Sequence, residues 1–346
     1  MIEVANLTKR YAGFAAVDNI SFKVDKGEIV GFLGKNGAGK STTMKMLSCF
    51  FPPTWGSARV AGFDCVTDSM EVRQRIGYMP ERVPLYEDMR VEEYLDYRAR
   101  LRGVPRRARS SAVNEVISTI GLKDMRRKLI GSLSKGYRQR TGLAEAIVHK
   151  PELLILDEPT AGLDPGQIRQ VREVIKELGK RTTLLLSTHI LSEVEITATR
   201  ILLIHKGRIV ANGSPGSLVG GAQSSRRFRA EIRGPVAMIE AMLKGLPGLK
   251  GLSVAPGEEW SVFTIDSDLE QDLRADVAKF VVDNGWDLRE LSEEKRTLED
   301  LFVQITTTDE VAPPGAPAPV STPVAPAPEA PPAEPLKEWP EGGATS

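Results

Sequence analysis

Cysteine and histidine are scarce in this 346-residue chain, which holds two of the first, Cys49 and Cys65, and three of the second. That is too few for a disulfide framework or a Cys/His zinc site. Two reduced, structural thiols fit a cytosolic protein. No apolar run approaches the ~20 residues needed to span a bilayer, and Met1 to Tyr11 lacks the long apolar centre of a signal peptide. The chain is therefore expected to be soluble and cytosolic, and not itself a channel. Net charge is missing too. With 46 basic and 46 acidic side chains, no overall field draws it to nucleic acid or to an anionic membrane.

What is present is length and a composition shift. The length suggests roughly two domains and ample core material. From 311 to 346 the chain spends 11 of its 23 prolines and carries a net charge of −3, leaving the rest at +3. That tail reads as a disordered, polyproline-prone linker or docking arm.

Upstream, Ile20, Phe22 and Val24 alternate with polar residues as a half-buried strand does. Glu28 to Leu33 is a short apolar strand that ends in a glycine-rich turn, and Ser41 to Phe50 reads as a helix. From about Val91 to Ile147 the pattern is mainly helical, broken at Gly103-Val-Pro105. Leu153 to Asp157 and Thr183 to Ser187 are continuous apolar runs of the kind buried in parallel sheets, with an amphipathic helix, Ile168 to Leu178, between them. Lys206-Gly207 marks a hairpin between Ile201–Ile204 and Arg208–Val210.

After a small-residue linker, Gly220 to Ser225, the order changes. Strands at Arg227–Arg233, Leu252–Val254, Trp260–Ile265 and Asp287–Leu291 interleave with helices at Val236–Leu246 and Leu269–Asn284. This βαββαβ order predicts a small ferredoxin-like α+β unit. Thr297 with Asp300 would cap a last helix, Leu298 to Gln304.

Two motifs carry chemistry. Gly34, Lys35, Asn36, Gly37, Ala38, Gly39, Lys40 and Ser41 fit G-x-x-x-x-G-K-[ST] between a strand and a helix. Backbone N–H groups of such a loop turn inward around phosphate oxygens, and the helix N-terminus that continues through Thr42 adds its dipole. Lys40 reaches the β- and γ-phosphates, and Ser41 can ligate Mg²⁺. The second motif, Leu153-Leu-Ile-Leu-Asp157-Glu158-Pro159, places two carboxylates where a strand leaves the sheet. Asp157 suits Mg²⁺ held through water, and Glu158 suits a general base for in-line attack on a γ-phosphate.

Further segments bring a family resemblance. Leu133-Ser-Lys-Gly-Tyr-Arg-Gln-Arg140 resembles the signature motif of ATP-binding-cassette (ABC) ATPases, Ala161-Gly-Leu-Asp164 their D-loop, and Ser187-Thr-His189 their switch histidine. Tyr11 stands where the family stacks an aromatic on adenine. The resemblance covers about Met1 to Ser217. It implies an α/β P-loop NTPase fold of the ABC type. The division expected is a nucleotide-binding domain over 1–218 with a helical subdomain at about 82–150, an α+β domain over 226–307 and the tail at 311–346.

It also implies two such domains paired head-to-tail, most simply as a homodimer, with ATP on one phosphate loop covered by Ser134, Lys135 and Gly136 of the other. His189 would contact the γ-phosphate, and Asp164 would link the two sites. Transmembrane permease subunits are the implied partners, at the cytoplasmic face of the membrane, with no nucleic acid.

Two positions depart from the common pattern. Glu81 of Ile76-Gly-Tyr-Met-Pro80-Glu81 replaces the usual glutamine and keeps an oxygen for Mg²⁺. Lys135 and Tyr137 replace a glycine and a glutamine. These forms, with Ser187-Thr-His-Ile-Leu-Ser-Glu-Val194, resemble type-2 exporters and are most similar to gliding-motility-associated ATPases, without implying that phenotype.

Two other function classes compete. A soluble ABC ATPase acting on DNA or the ribosome would need long coiled coils or a second cassette, and the chain has neither pattern. A non-catalytic sensor would lack Lys40, Glu158 or His189, all of which are present. Clustered arginines, Arg98 to Arg109 and Arg126-Arg-Lys128, read first as a solvated helix face and second as membrane-proximal charge. His149 and His205 read as structural.

Overall fold

The computed structural model describes residues 1–221, 226–268, 272–294, 298–300 and 302. The thirty-six-residue tail, Thr297 and the end of the last expected helix lie outside the described residues, as do 222–225 of the linker.

The chain opens with two long antiparallel strands, β1 (Ile2–Tyr11) and β2 (Phe14–Val24), followed by β3 (Ile29–Leu33) and α1 (Lys40–Leu47). β4 (Trp55–Val60), β5 (Phe63–Asp64), α2 (Ser69–Arg75) and β6 (Ile76–Met79) lead to three helices, α3 (Val91–Leu101), α4 (Arg106–Thr119) and α5 (Lys135–Ile147). Then come β7 (Leu153–Asp157), α6 (Pro165–Gly179), β8 (Thr183–Thr188), α7 (Leu191–Thr197), β9 (Arg200–His205), β10 (Arg208–Gly213) and α8 (Pro215–Gly221). A further set follows: β11 (Arg226–Arg233), α9 (Val236–Leu243), β12 (Leu249–Ala255), β13 (Ser261–Ser267), α10 (Arg274–Asp283) and β14 (Asp287–Glu294).

Among the described residues the strands form three sheets. The central one runs β10-β9-β3-β8-β7-β6. It is parallel from β9 to β6, and β10 is added antiparallel through the hairpin at Lys206-Gly207. Strand alternation splits its side chains between two cores. Leu33, Leu154, Leu156, Leu184, Leu186, Ile201 and Leu203 join the core of the helical side. Val30, Phe32, Leu153, Ile155, Leu185, Leu202 and Ile204 point the other way, against the antiparallel sheet β2-β1-β4-β5. Burial on both faces is why these strands read as unbroken apolar runs.

The third sheet, β12-β13-β11-β14, is antiparallel throughout and has its own core of Phe228, Ile232, Phe263, Ile265, Val277 and Val281. Its βαββαβ order and strand arrangement match the ferredoxin-like expectation. The last described segment then returns: Leu298 is buried in the core on the helical side of the central sheet.

Some boundaries moved for local reasons. α1 stops at Leu47 because Cys49 takes a left-handed conformation (φ 58°), with Phe50 N–H bonded to Lys45 O (2.8 Å) and Cys49 N–H to Met46 O (3.1 Å). This is a Schellman ending with a non-glycine residue in the left-handed position. α6 begins earlier than its apolar periodicity suggests, at Pro165, because Asp164 caps it and proline suits the first helical position. α10 begins at Arg274, whose backbone N–H is taken by the Asp272 carboxylate (3.1 Å).

His149 has the structural role expected of it. Its Nε2 bonds to Ile76 O (3.0 Å), tying the end of the α5 segment to β6. Burial, with Arg102 nearby, pushes its pKa down to about 4. The native chain therefore keeps His149 neutral at a pH where the unfolded chain protonates it. This contribution to stability is complete above pH ~6.5 and is lost as pH falls towards 4. A His149→Gln chain should lose less stability than the wild type between pH 7 and pH 4.5 in urea unfolding, by roughly 2–3 kcal/mol at the acid end.

Candidate functional site

Three neighbouring strands, β3, β8 and β7, end on the same edge of the central sheet, with β8 in the middle. The carboxyl ends of parallel strands are where open α/β sheets bind ligands. Here they deliver the phosphate loop, His189 and Glu158 to one cleft of about 360 Å³, lined among others by Asn36, Gly37, Gly39, Lys40, Ser41 and Thr42.

The loop is shaped by its glycines. Gly39, the N-cap of α1, has φ 109°, and a Cβ there would meet Ala16 O at 2.5 Å. No other residue type fits that bend. Lys40 begins the helix and is buried. Its ammonium donates to Gly34 O (2.7 Å) and Lys35 O (3.3 Å) and stands 3.1 Å from Glu158 Oε1. Glu158 therefore fills the place of an anion at the loop.

The end of β8 organises the acids. Ser187 Oγ donates to Asp157 Oδ1 (2.5 Å), which also accepts from Ser41 Oγ (3.0 Å). Burial pushes the Asp157 carboxyl above its ordinary range and the nearby Glu158 and Glu81 charges add to this, against the two hydroxyl bonds. Glu158 N–H donates to Ser187 O (3.2 Å) and Ser187 Oγ (3.0 Å). Glu158 itself sits at φ 49°, a conformation that costs a non-glycine residue energy and is concentrated at functional sites. His189 Nδ1 donates to Glu158 Oε2 (2.9 Å), so Nε2 remains for a ligand.

The site residues expected from sequence divide into two groups. Lys40, Ser41, Asp157, Glu158 and His189 come together, and Glu81 lines the same cleft. Ser134, Lys135 and Gly136 do not line it. They form the head of α5, where Ser134 is the N-cap and Gly136 lies so close to Gln167 that a Cβ would meet its Oε1 at 2.3 Å. Asp164 accepts from Gln167 N–H (2.9 Å) as the cap of α6. Tyr11 is half-exposed and also outside the cleft lining. It packs edge-on to Phe51 with ring centroids 6.2 Å apart.

Phe14, opposite Tyr11 in the β1–β2 pairing, is the aromatic that does line the cleft, and sequence reasoning passed over it. Only the register of that hairpin brings it there. Ser187 was legible as part of the switch-histidine motif, but its bonds to both acids were not. Four members of the arginine cluster are paired: Arg98 with Glu145, Arg109 with Asp96, Arg126 with Glu92, and Arg102 with the backbone carbonyl of Arg73.

Comparison with known proteins identifies the family. The family model described as "ABC transporter" matches residues 17–161. The bacitracin transport ATP-binding protein BcrA of Bacillus licheniformis is 39% identical over 212 residues, 61% of this chain and 68% of that protein. The uncharacterized ABC transporter ATP-binding protein YcbN of Bacillus subtilis is 32% identical over 314 residues, 90% of this chain and 99% of that one. The daunorubicin/doxorubicin resistance ATP-binding protein DrrA of Streptomyces peucetius is 42% identical over 219 residues, 63% of this chain and 66% of that one. Among solved structures, an ATP-binding subunit of an ABC transporter matches with a TM-score of 0.59 and 31% identity, covering 64% of this chain and 92% of that one.

The raised Asp157 pKa carries a sign. Its ionised form is the costly one in the native state, so this carboxyl subtracts from stability as pH rises above the ordinary carboxylate range. Asp157→Asn keeps an oxygen for Ser41 and Ser187 and removes the charge. Its nucleotide-free melting temperature should exceed the wild type's at pH 7, and the gap should narrow as pH falls towards 4.

Proposed function

We infer that this chain, which belongs to the ABC transporter ATP-binding protein family, is the ATP-hydrolysing subunit of a membrane exporter and works as half of a head-to-tail pair of cassettes. The observation that carries the pairing is the split of the site. Lys40, Ser41, Glu158 and His189 share one cleft, with Asp157 bonded to Ser41 at its edge, whereas Ser134, Lys135 and Gly136 stand away from it at the head of α5. A second cassette would supply those three residues, with a helix N-terminus aimed at the γ-phosphate. Asp164, capping α6 beside Gln167 and Gly136, would carry contact between the two sites.

The donor set suits Mg²⁺. Ser41 Oγ and Asp157 Oδ1 lie 3.0 Å apart beside the phosphate loop. Among the described residues no three His, Cys, Asp or Glu side chains converge as a closed cage. An open pair of oxygens is what Mg²⁺ uses when phosphate and water complete its shell. Ser41 and Asp157 would hold the ion, with Glu81 offering a further oxygen. Once bound, it supplies charge neutralisation at the β- and γ-phosphates.

The remaining steps belong to side chains. Lys40 leaves Glu158 for the phosphate oxygens. Glu158, released from that ion pair, accepts a proton from the attacking water. His189, held through Nδ1, offers Nε2 to the γ-phosphate and the water. ATP closes the pair of cassettes, and hydrolysis releases it.

Export is supported by similarity to a drug-resistance subunit and by the motif forms of type-2 exporters, nearest the gliding-motility-associated group. Coupling to permease subunits would use the Glu81 loop. A second cleft of about 620 Å³, between that loop, α3 and α5, shares Ser41 and Glu81 with the nucleotide cleft. Among the described residues no helix is long and apolar enough to cross a membrane. A peripheral position at the cytoplasmic face follows from the partner. We read 1–218 as the cassette and 226–307 as a small appended domain, in keeping with the apolar core of its sheet and helices, while Leu298 near its end packs back into the cassette core.

Glu158→Gln should retain ATP binding, lose turnover by about 10²-fold or more, and accumulate as an ATP-bound dimer in size-exclusion chromatography with light scattering. Wild-type turnover in that variant overturns Glu158 as the base.

A further inference from the structure

Three consecutive residues at the end of β8 each contact a different carboxylate. Ser187 donates to Asp157, and His189 to Glu158. Between them, Thr188 Oγ1 donates to Glu193 Oε2 (2.9 Å). The first two acids belong to the reaction. Glu193 has no place in the mechanism above, yet it is as well buried as Glu158.

A buried carboxylate is costly unless it is fully bonded. Glu193 is not: Oε2 accepts two hydroxyl bonds, while Oε1 has no hydrogen-bond partner. As a device for stability alone, an apolar residue would serve better. What the carboxylate does uniquely is join two loops. Its second donor is Thr160 Oγ1 (2.8 Å), which lies two residues beyond Glu158 and directly before the Ala161–Asp164 segment. One oxygen therefore ties the loop after β7, which carries Glu158, to the loop after β8, which carries His189.

The element holding Glu193 is itself anchored. Glu193 lies in the first turn of α7, and its neighbour Val194 packs onto β3 at Gly31, where a Cβ would meet Val194 Cγ1 at 1.9 Å. β3 is the strand that feeds the phosphate loop. Thr188 adds two more ties: its Oγ1 accepts from Ile190 N–H (3.0 Å), and its carbonyl from Gly34 N–H (3.4 Å).

We propose that Glu193 is a positioning residue for ATP hydrolysis, its Oε2 clamping Thr160 to Thr188 so that Glu158 and His189 keep one spacing relative to the phosphate loop. Thr160, Thr188 and Glu193 do not line the nucleotide cleft, so the clamp acts on turnover rather than on ATP affinity. Because Thr160 opens the segment leading to Asp164, the same contact carries movement of that segment to the His189 loop. This inference rests on the assignment of Glu158 and His189 to the reaction.

The test uses the full chain with Mg²⁺ and ATP, and compares Glu193→Ala, Glu193→Gln, Thr160→Val and the Thr160→Val/Glu193→Ala double variant. Small displacements of reacting groups carry large rate penalties, so Glu193→Ala should lower kcat by about tenfold or more while ATP Kd changes less than about twofold. Glu193→Gln, which keeps the accepting oxygen, should recover most of the rate. Thr160→Val is nearly isosteric, so it gives a folded test of the same contact. It should lower kcat several-fold, and the double variant should be no worse than Glu193→Ala alone, since both remove one interaction.

Wild-type kcat in Glu193→Ala and Thr160→Val overturns the proposal. So do losses that add in the double variant, or losses of kcat matched by equal losses of ATP affinity and melting temperature. Glu158→Gln, run alongside, separates the two readings. If that variant turns over ATP normally, the assignment of the base fails; if it is inactive while the Glu193 and Thr160 variants are normal, only the clamp fails.

Discussion

The buried contact between Lys40 and Glu158 is the interaction around which the site is built. A lysine ammonium and a glutamate carboxylate stand 3.1 Å apart with almost no solvent access. Each is expensive to bury alone, and together they neutralise one another. The cation also needs carbonyl acceptors, which the phosphate loop provides at Gly34 and Lys35. The anion also needs a donor, which His189 provides. In the proposed reaction, a phosphate taking the place of the carboxylate beside Lys40 would free Glu158 in the same movement. Nucleotide binding and arming of the proposed base would then be linked by electrostatics.

The parallel sheet makes that contact attainable. β8 lies between β3 and β7, so the ends of three strands meet within hydrogen-bond range. Two apolar cores, one on each face, hold those ends in register. Polar residues are then free to occupy the rim, where Ser187, Thr188 and His189 distribute bonds to Asp157, Glu193 and Glu158. The cost appears in the raised pKa of Asp157 and the orphaned oxygen of Glu193. Buried charge and a left-handed Glu158 lower stability, and the packed strands beneath them carry the load.

Much of this was legible one residue at a time. Gly39 and Gly37 sit at backbone angles few other residues adopt, so a phosphate loop leaves a pattern in the chain itself. Leu153 to Leu156 is apolar throughout because a strand covered on both faces has no solvent side. The βαββαβ order of the C-terminal unit followed from period and punctuation. Other features had no such trace. Phe14 enters the cleft through hairpin register, Cys49 ends α1 through a left-handed turn, and Glu193 looks in sequence like a solvated first-turn acid.

The sequence by itself determined the chemistry: a lysine on a glycine loop, two acids at a strand end and a histidine after the next strand. These depend on local backbone geometry and on the spacing of apolar runs, which neighbouring residues encode. Only the tertiary structure decided the partners: Lys40 with Glu158, Ser187 with both acids, Glu193 with Thr160 and Thr188, and the signature segment away from its own cleft. Apart from Thr188 with Glu193, those pairings join residues far apart in the chain. Strand order and helix packing choose them, and no local preference records that choice.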